Sequence, residues 1–283
     1  MKEREKWDII IVPKSNLFEL KLSEIWTYRD LVMMFVKRDF ISQYKQTILG
    51  PLWFLIQPIL TTLTFLVVFT GIAKIATDNQ PPILFYMSGV LMWNYFASCL
   101  TKTSDTFLVN ASIFGKVYFP RLTVPVSNVI SNLIAFVIQL LLFFVIYVYY
   151  YIKTDSMHID FIMLAWLPYL VLLMAAQGLG FGIIISSLTI KYRDLKYLIV
   201  FGVQLLMYAT PVVYSYTSLP DSYKKYIALN PMTAVIETFR YSIFGVGYFR
   251  LDFILYSTFV SIAILLLGVL LFNKVEKNFM DSV

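Results

Sequence analysis

Six windows of this 283-residue chain contain no Asp, Glu, Lys, Arg or His: Leu52–Ala73, Ile83–Thr101, Leu122–Ile152, Phe161–Ile190, Tyr197–Tyr216 and Phe253–Asn273. Each approaches or exceeds the roughly 20 apolar residues that a helix needs to cross a bilayer. A soluble core cannot absorb them all, because a soluble surface must itself be polar. Here 59% of residues are apolar and 14% charged, against about 25% charged in a typical soluble domain. The sequence therefore predicts an all-α membrane protein with six transmembrane helices. The third and fourth windows are longer than a bilayer requires, so those helices are expected to tilt or project beyond it.

The flanks set the expected layout. Residues 1–51 read as a cytoplasmic N-terminal segment, 52–273 as the six-span domain and 274–283 as a cytoplasmic tail. Met1–Lys6 is mostly charged and Ile9–Val12 is too short for the apolar core of a cleavable signal. The first span is then expected to act as an uncleaved insertion signal. Basic residues near the spans cluster on one side: Lys37, Arg38 and Lys45, then Lys102, Lys116 and Arg121, then Lys191, Arg193 and Lys196, then Lys274 and Lys277. The other side holds Lys74, Lys153, Lys224, Lys225, Arg240 and Arg250. The positive-inside rule puts both termini in the cytoplasm. The excess of 23 Lys plus Arg over 17 Asp plus Glu belongs to this bias, and no detached basic run suggests nucleic acid.

Three connecting regions carry structure of their own. Tyr28–Lys45 reads as a helix resting on the cytoplasmic face, with imperfect amphipathicity. The connection 102–121 is too long for a tight turn and mixes polar with apolar residues, as a short surface helix would. The external region 211–252 is long yet strongly apolar and aromatic. Asn230-Pro231 is a helix start, since Asn caps and Pro suits the first helical position, and a second short helix is expected over Asp221–Leu229. Apolar segments too short to cross predict a re-entrant helical hairpin, which membrane depth tolerates only against protein or a water-filled cavity.

Several chemistries are missing. Gly115-Lys116 is followed by Val117 and lacks the earlier glycine of a phosphate loop, so this chain is not expected to hydrolyse ATP by that route. The only histidine, His158, falls in an external loop, and the only cysteine, Cys99, inside an apolar run. Neither metal site nor intrachain disulfide is expected. Ion-coupled carriers usually place ionisable residues at membrane depth, and these windows have none, so the energy for vectorial work should come from another chain. Gly178 and Gly182 form a G-x-x-x-G pair suited to close helix approach. Trp93, Tyr95 and Tyr147–Tyr151 fall near span ends, as an interfacial belt does, and other aromatics could line a channel for sugar rings. Glu237 and Arg240 share a helix face, either as a local ion pair or as a fixed polar element of an external gate. Lys37, Arg38 and Lys45 could bind anionic lipid or a diphosphate headgroup.

Five ordered stretches resemble ABC-2-type permeases that export bacterial polysaccharides, closest to the O-antigen and teichoic-acid branch. They are RDFISQYKQTILGPLWFLIQP (Arg38–Pro58), KVYFPRLTVP (Lys116–Pro125), KYRDLKY (Lys191–Tyr197), TPVVY (Thr210–Tyr214) and ALNPMTAVIETFRYSIFG (Ala228–Gly245). The resemblance implies a homodimer in the bacterial inner membrane, with two copies of a separate ABC ATPase that bind ATP and Mg. The cargo would be an undecaprenyl-diphosphate-linked polysaccharide moving through a channel between the subunits. It further implies ATPase docking around Thr103, Ser104, Asp105, Thr106, Phe107, Asn110 and Phe114. An external gate is implied around Tyr223, Tyr226, Glu237 and Arg240. Lys37, Arg38, Lys45, Trp53, Phe54 and Tyr95 are expected at the channel or headgroup. Rival readings are an exporter of a drug or lipid, a membrane-embedded transferase using Asp30, Asp39, Asp194 or Glu237, and a passive channel or scaffold.

Overall fold

The computed structural model describes residues 22–278, apart from 46, 154–163, 190, 191 and 193. The expectations for residues 1–21, for His158 and for residues 279–283 lie outside the described residues. All regular structure among the described residues is helical. Leu22–Thr27 (α1) and Arg29–Tyr44 (α2) precede a 3-10 turn, Gly50–Leu52, which runs into Trp53–Phe65 (α3) and a π-helical continuation, Leu66–Ile72. Pro82–Ser104 (α4) leads through Asp105 into Thr106–Phe114 (α5), and then Thr123–Lys153 (α6), Leu167–Thr189 (α7) and Leu195–Tyr208 (α8) follow. Asp221–Ala228 (α9), Pro231–Phe244 (α10) and Leu251–Asn278 (α11) complete the chain.

Five of these stretches are long and apolar enough to cross a membrane: Gly50–Ile72, Pro82–Ser104, Thr123–Lys153, Leu167–Thr189 and Leu251–Lys274. The expected fifth window, Tyr197–Tyr216, behaves differently. Its helix, α8, has 14 residues, about 21 Å at 1.5 Å per residue, short of a hydrocarbon core about 30 Å thick. Pro211 explains the stop, because proline disfavours helical geometry in the residue before it and has no N–H to offer. Thr210 Oγ1 turns back to the Leu206 carbonyl at 2.7 Å and closes the last turn.

At the centre lie α4 and α7. Lipid provides no hydrophobic drive between helices, so close packing and interhelical hydrogen bonds must hold them together. Small residues make that approach possible. A Cβ built on Gly178 would lie 2.6 Å from Cys99 Cβ, and one on Gly182 2.5 Å from Thr103 Cβ, so both glycines face α4. Gly180 points the other way, where a Cβ would meet the Leu265 amide of α11 at 2.9 Å. The run GLGFG thus serves two helices from opposite faces of α7. Buried Gln177 adds a polar clamp, with Nε2 donating to Ser261 Oγ at 2.9 Å and Ser257 Oγ at 3.2 Å. Ser257 Oγ in turn donates to the Pro231 carbonyl at 2.9 Å, which fixes the start of α10.

Two ends of the bundle can be told apart. One carries α5, where Thr189 Oγ1 at the end of α7 reaches the Ser104 carbonyl at 3.4 Å. Lys196 at the start of α8 pairs there with Asp105 at 3.2 Å. The other carries α10, packed on the start of α4, with α9 beside it. Because α8 starts at the first end and the chain beyond it meets α4 at the second, this segment joins the two ends.

Candidate functional site

Three places bear on function. The first is the α9–α10 hairpin. Asn230 caps α10 as expected, its Oδ1 accepting from the Met232 amide at 3.0 Å while its Nδ2 donates to Thr210 Oγ1 at 2.7 Å. Gly245 ends the helix in the left-handed conformation, at φ 65°, where glycine has no Cβ to clash. Nearly every α10 residue between these points is buried. Asn230→Ala should cost about 1 kcal/mol through the lost cap, and more than Asn230→Asp, which keeps the acceptor. Thermal denaturation of the detergent-solubilised variants measures that order.

Within α10, Arg240 is 2% exposed and Glu237 1%. Arg240 Nη1 donates to the Pro211 carbonyl at 2.6 Å, the Tyr214 carbonyl at 3.3 Å and Glu237 Oε1 at 3.2 Å. Its Nη2 donates to the Val212 carbonyl at 2.7 Å and the Phe85 carbonyl at 3.4 Å. The Phe85 ring lies 3.8 Å from the guanidinium carbon, and Glu237 Oε2 accepts from the Tyr248 amide at 3.3 Å. One side chain therefore ties α4, the turn after α8, and α10 together. Gly89 lets this happen, since a Cβ there would meet the Val212 carbonyl at 2.6 Å and Arg240 Nη2 at 2.9 Å. The pair is a local ion pair at 3.2 Å whose arginine also holds the carbonyls of α4 and of the turn after α8. The other two expected gate residues, Tyr223 and Tyr226, are exposed on α9, away from that pair.

Sequence reasoning missed a companion tie. Asp78, in the loop before α4, accepts from Ser215 Oγ at 2.5 Å and Thr217 Oγ1 at 3.0 Å. Its φ of 50° is rare for a non-glycine residue. Asp is one of the few residue types that tolerates this region, the only signal available beforehand.

The second place is α5. The short helix expected in 102–121 is present, but the residues expected to dock a partner are mostly turned inward. Thr103, Ser104, Thr106, Phe107, Asn110 and Phe114 are buried. Phe107 stacks on Phe272 of α11 at 4.8 Å and packs edge-on to Phe114 at 5.8 Å. Asp105 is held by Lys196. Thr106, Phe107, Asn110 and Phe114 seat α5 against the bundle, while Thr103 and Ser104 end α4. The outward face consists of Val109, Ser112 and residues 115–118. A short helix on a protein platform must bury one side, which spacing alone does not identify.

The third place is the start of α3. Lys37, Arg38 and Lys45 are exposed in and after α2, and Arg38 pairs with Asp39 at 2.8 Å. Trp53 and Phe54 line a cleft between α3, α4 and α6. Tyr95 does not join them: it is buried against Phe136 at 5.1 Å. The candidate carboxylates of a transferase are not assembled either, since Asp39 pairs with Arg38 and Glu237 is engaged by Arg240 and Tyr248. No group of three or more His, Cys, Asp or Glu suited to a metal is found among the described residues.

Five bilayer-length apolar helices, with the buried α10 at one end and the short α5 at the other, make this a helical membrane protein. The chain belongs to the ABC-2 type transporter family, whose pattern it matches over residues 30–244. It is 28% identical over 255 residues to an O-antigen export system permease protein of Klebsiella pneumoniae, covering 89% of this chain and 94% of that protein. A permease of the same description from Myxococcus xanthus is 27% identical over 219 residues, 77% of this chain and 81% of the relative. A capsule polysaccharide export inner-membrane protein of Neisseria meningitidis is 21% identical over 265 residues, 91% of this chain and 95% of the relative.

Proposed function

We propose that this chain is the permease subunit of an ABC transporter exporting a lipid-linked surface polysaccharide such as O-antigen. The observation that carries this reading is the end-to-end match to an O-antigen export permease, over 94% of that protein's length. Chemistry on this chain supports it. The phosphate loop is missing from the sequence, so a separate ATPase must bind ATP and Mg and supply the work. The outward face of α5, around Val109 and Ser112, is where that subunit would press.

In this reading α8 and the turn after it make a sixth crossing, both termini lie in the cytoplasm, and the membrane is the bacterial inner membrane. The α9–α10 hairpin is re-entrant and forms the external gate, with Tyr223 and Tyr226 at its rim and the Glu237–Arg240 node as its fixed base. Helix α2 rests on the inner face, where Lys37, Arg38 and Lys45 meet the diphosphate of an undecaprenyl-linked chain. The apolar flanks of α3 and α8, including Leu60, Leu63, Leu198 and Phe201, are exposed and would meet a second copy across the channel.

The test is a mild-detergent pull-down of the tagged protein from its native membrane, together with deletion of the coding sequence. A stoichiometric ATPase carrying a phosphate loop should copurify, and surface glycan should disappear on deletion while synthesis continues inside. Copurification of no such subunit, under conditions that preserve other membrane complexes, would remove the energy source and with it the reading.

A further inference from the structure

Resting on that export reading, we propose that the cleft between α3, α4 and α6 is a saccharide-binding site that holds one sugar ring of the exported chain at the α5 end of the bundle.

The cleft has a volume of about 160 Å³, far more than the 10–15 Å³ that admits a single water. Its lining is unlike the rest of the spans. Asn94, Ser98 and Lys102 stand four residues apart on α4, Asn132 and Gln139 seven apart on α6, and Gln57 faces them from α3. Spacings of four and seven keep each set on one helix face. Two helices thus turn polar stripes, and a third one glutamine, toward one space, while the charge-free windows around them are overwhelmingly apolar. Asn128 Nδ2, donating to the Lys102 carbonyl at 3.2 Å, ties the α4 and α6 stripes together.

Gln57 is exposed, and Asn94 and Gln139 are half-buried. Among the described residues, the side chains of Gln57, Asn94 and Gln139 make no hydrogen bond within the protein. Their donors and acceptors are left to pair with water or a polar ligand in the cleft. A carboxamide presents donor and acceptor together, as a sugar hydroxyl does, so the two pair in either sense. Trp53, 46% exposed, and Phe54 border the cleft and offer flat apolar faces for the C–H side of a ring. No carboxylate lines it, which disfavours cations, and an acyl chain would strand the amides. Eight residues separate Lys102 from Asn94, about 12 Å along the helix, so the stripe leads from the α5 end toward the middle of the bundle.

A purely structural role makes the opposite prediction to a binding role. Replacing idle amides at membrane depth by leucine should leave the fold as stable or more so. The combined variant Gln57→Leu, Asn94→Leu and Gln139→Leu should keep its membrane level and melting temperature, yet lose surface glycan by about tenfold or more. Benzoylphenylalanine in place of Gln139 should, on irradiation of cells making their own glycan, give a protein band that stains with periodate. The same group in place of Leu141, exposed on α6, should not. Wild-type export by the combined variant, or an adduct at position 139 carrying phospholipid alone, overturns the site. If the combined variant fails to accumulate, the adduct at 139 in the otherwise unaltered chain decides. A deletion strain that still exports its glycan overturns the export reading itself, which keeps the two failures distinct.

Discussion

Arg240→Met will destabilise this protein by about 3–5 kcal/mol, the usual cost of removing one member of a buried pair. The loss should exceed that of most other single substitutions in the chain. The guanidinium serves five oxygen partners besides Ser88, namely the carbonyls of Phe85, Pro211, Val212 and Tyr214 and the Glu237 carboxylate. Methionine matches much of the volume and supplies no donor, so these acceptors lose their partner in a site that water does not reach. Arg240→Lys should recover little, because an ammonium cannot reproduce the planar fork that spans several carbonyls. Glu237→Gln should be milder, since its amide keeps an acceptor for Tyr248. Membrane abundance and thermal denaturation in detergent give the order, and wild-type stability in Arg240→Lys would show that charge alone, without geometry, holds the node.

The second large effect is expected at Gly182. Gly182→Leu should disrupt the contact between α7 and α4, and Gly182→Ala should cost about 1–3 kcal/mol through overpacking. A single methyl already meets Thr103 Cβ at 2.5 Å and the Leu100 carbonyl at 2.9 Å, and the second of these is backbone that cannot rotate away. Gly202 on α8 provides the control, because a Cβ there has nothing within 4 Å. Gly202→Leu should leave stability near wild type. Equal melting temperatures for Gly182→Leu and Gly202→Leu would show that α7 and α4 have room to part, contrary to the packing described.

Legibility differed sharply between elements. The cap at Asn230 and the helix after Pro231 were readable because both are local: one side chain reaches an amide two residues on, and one ring presets one dihedral angle. The G-x-x-x-G pair was readable as a close-approach face, since spacing puts Gly178 and Gly182 together. That Gly180 between them serves α11 was not, because the partner lies about 85 residues away in sequence, at Ile264 and Leu265. The length of the helix in the fifth window was legible only in part. Hydropathy runs through Thr210–Tyr216 unbroken and Pro211 marks the stop, but only the fold shows the carbonyls of Pro211, Val212 and Tyr214 turned toward Arg240.

Polar residues in the spans were the weakest signal. Asn94, Ser98, Asn132, Gln139 and Gln57 are uncharged, so a search for ionisable groups at membrane depth passed over them. Their helical spacing was visible one helix at a time, but the shared cleft was not. The same gap explains the docking residues: sequence located α5, while its seat on Phe272 of α11 decided which side faces out.

By itself, the sequence determined that this chain is a helical membrane protein, where five bilayer-length helices run, where short helices begin, and which family it resembles. Those properties depend on composition, local period and motif order, all carried by neighbouring residues. Tertiary structure alone decided the two faces of α7, the six-contact role of Arg240, the inward turn of the α5 side chains and the meeting of the α4 and α6 polar stripes with Gln57. Each of these depends on which distant surfaces touch. In lipid that choice is set by shape and hydrogen bonding between helices rather than by hydrophobicity, which leaves little trace in a linear pattern.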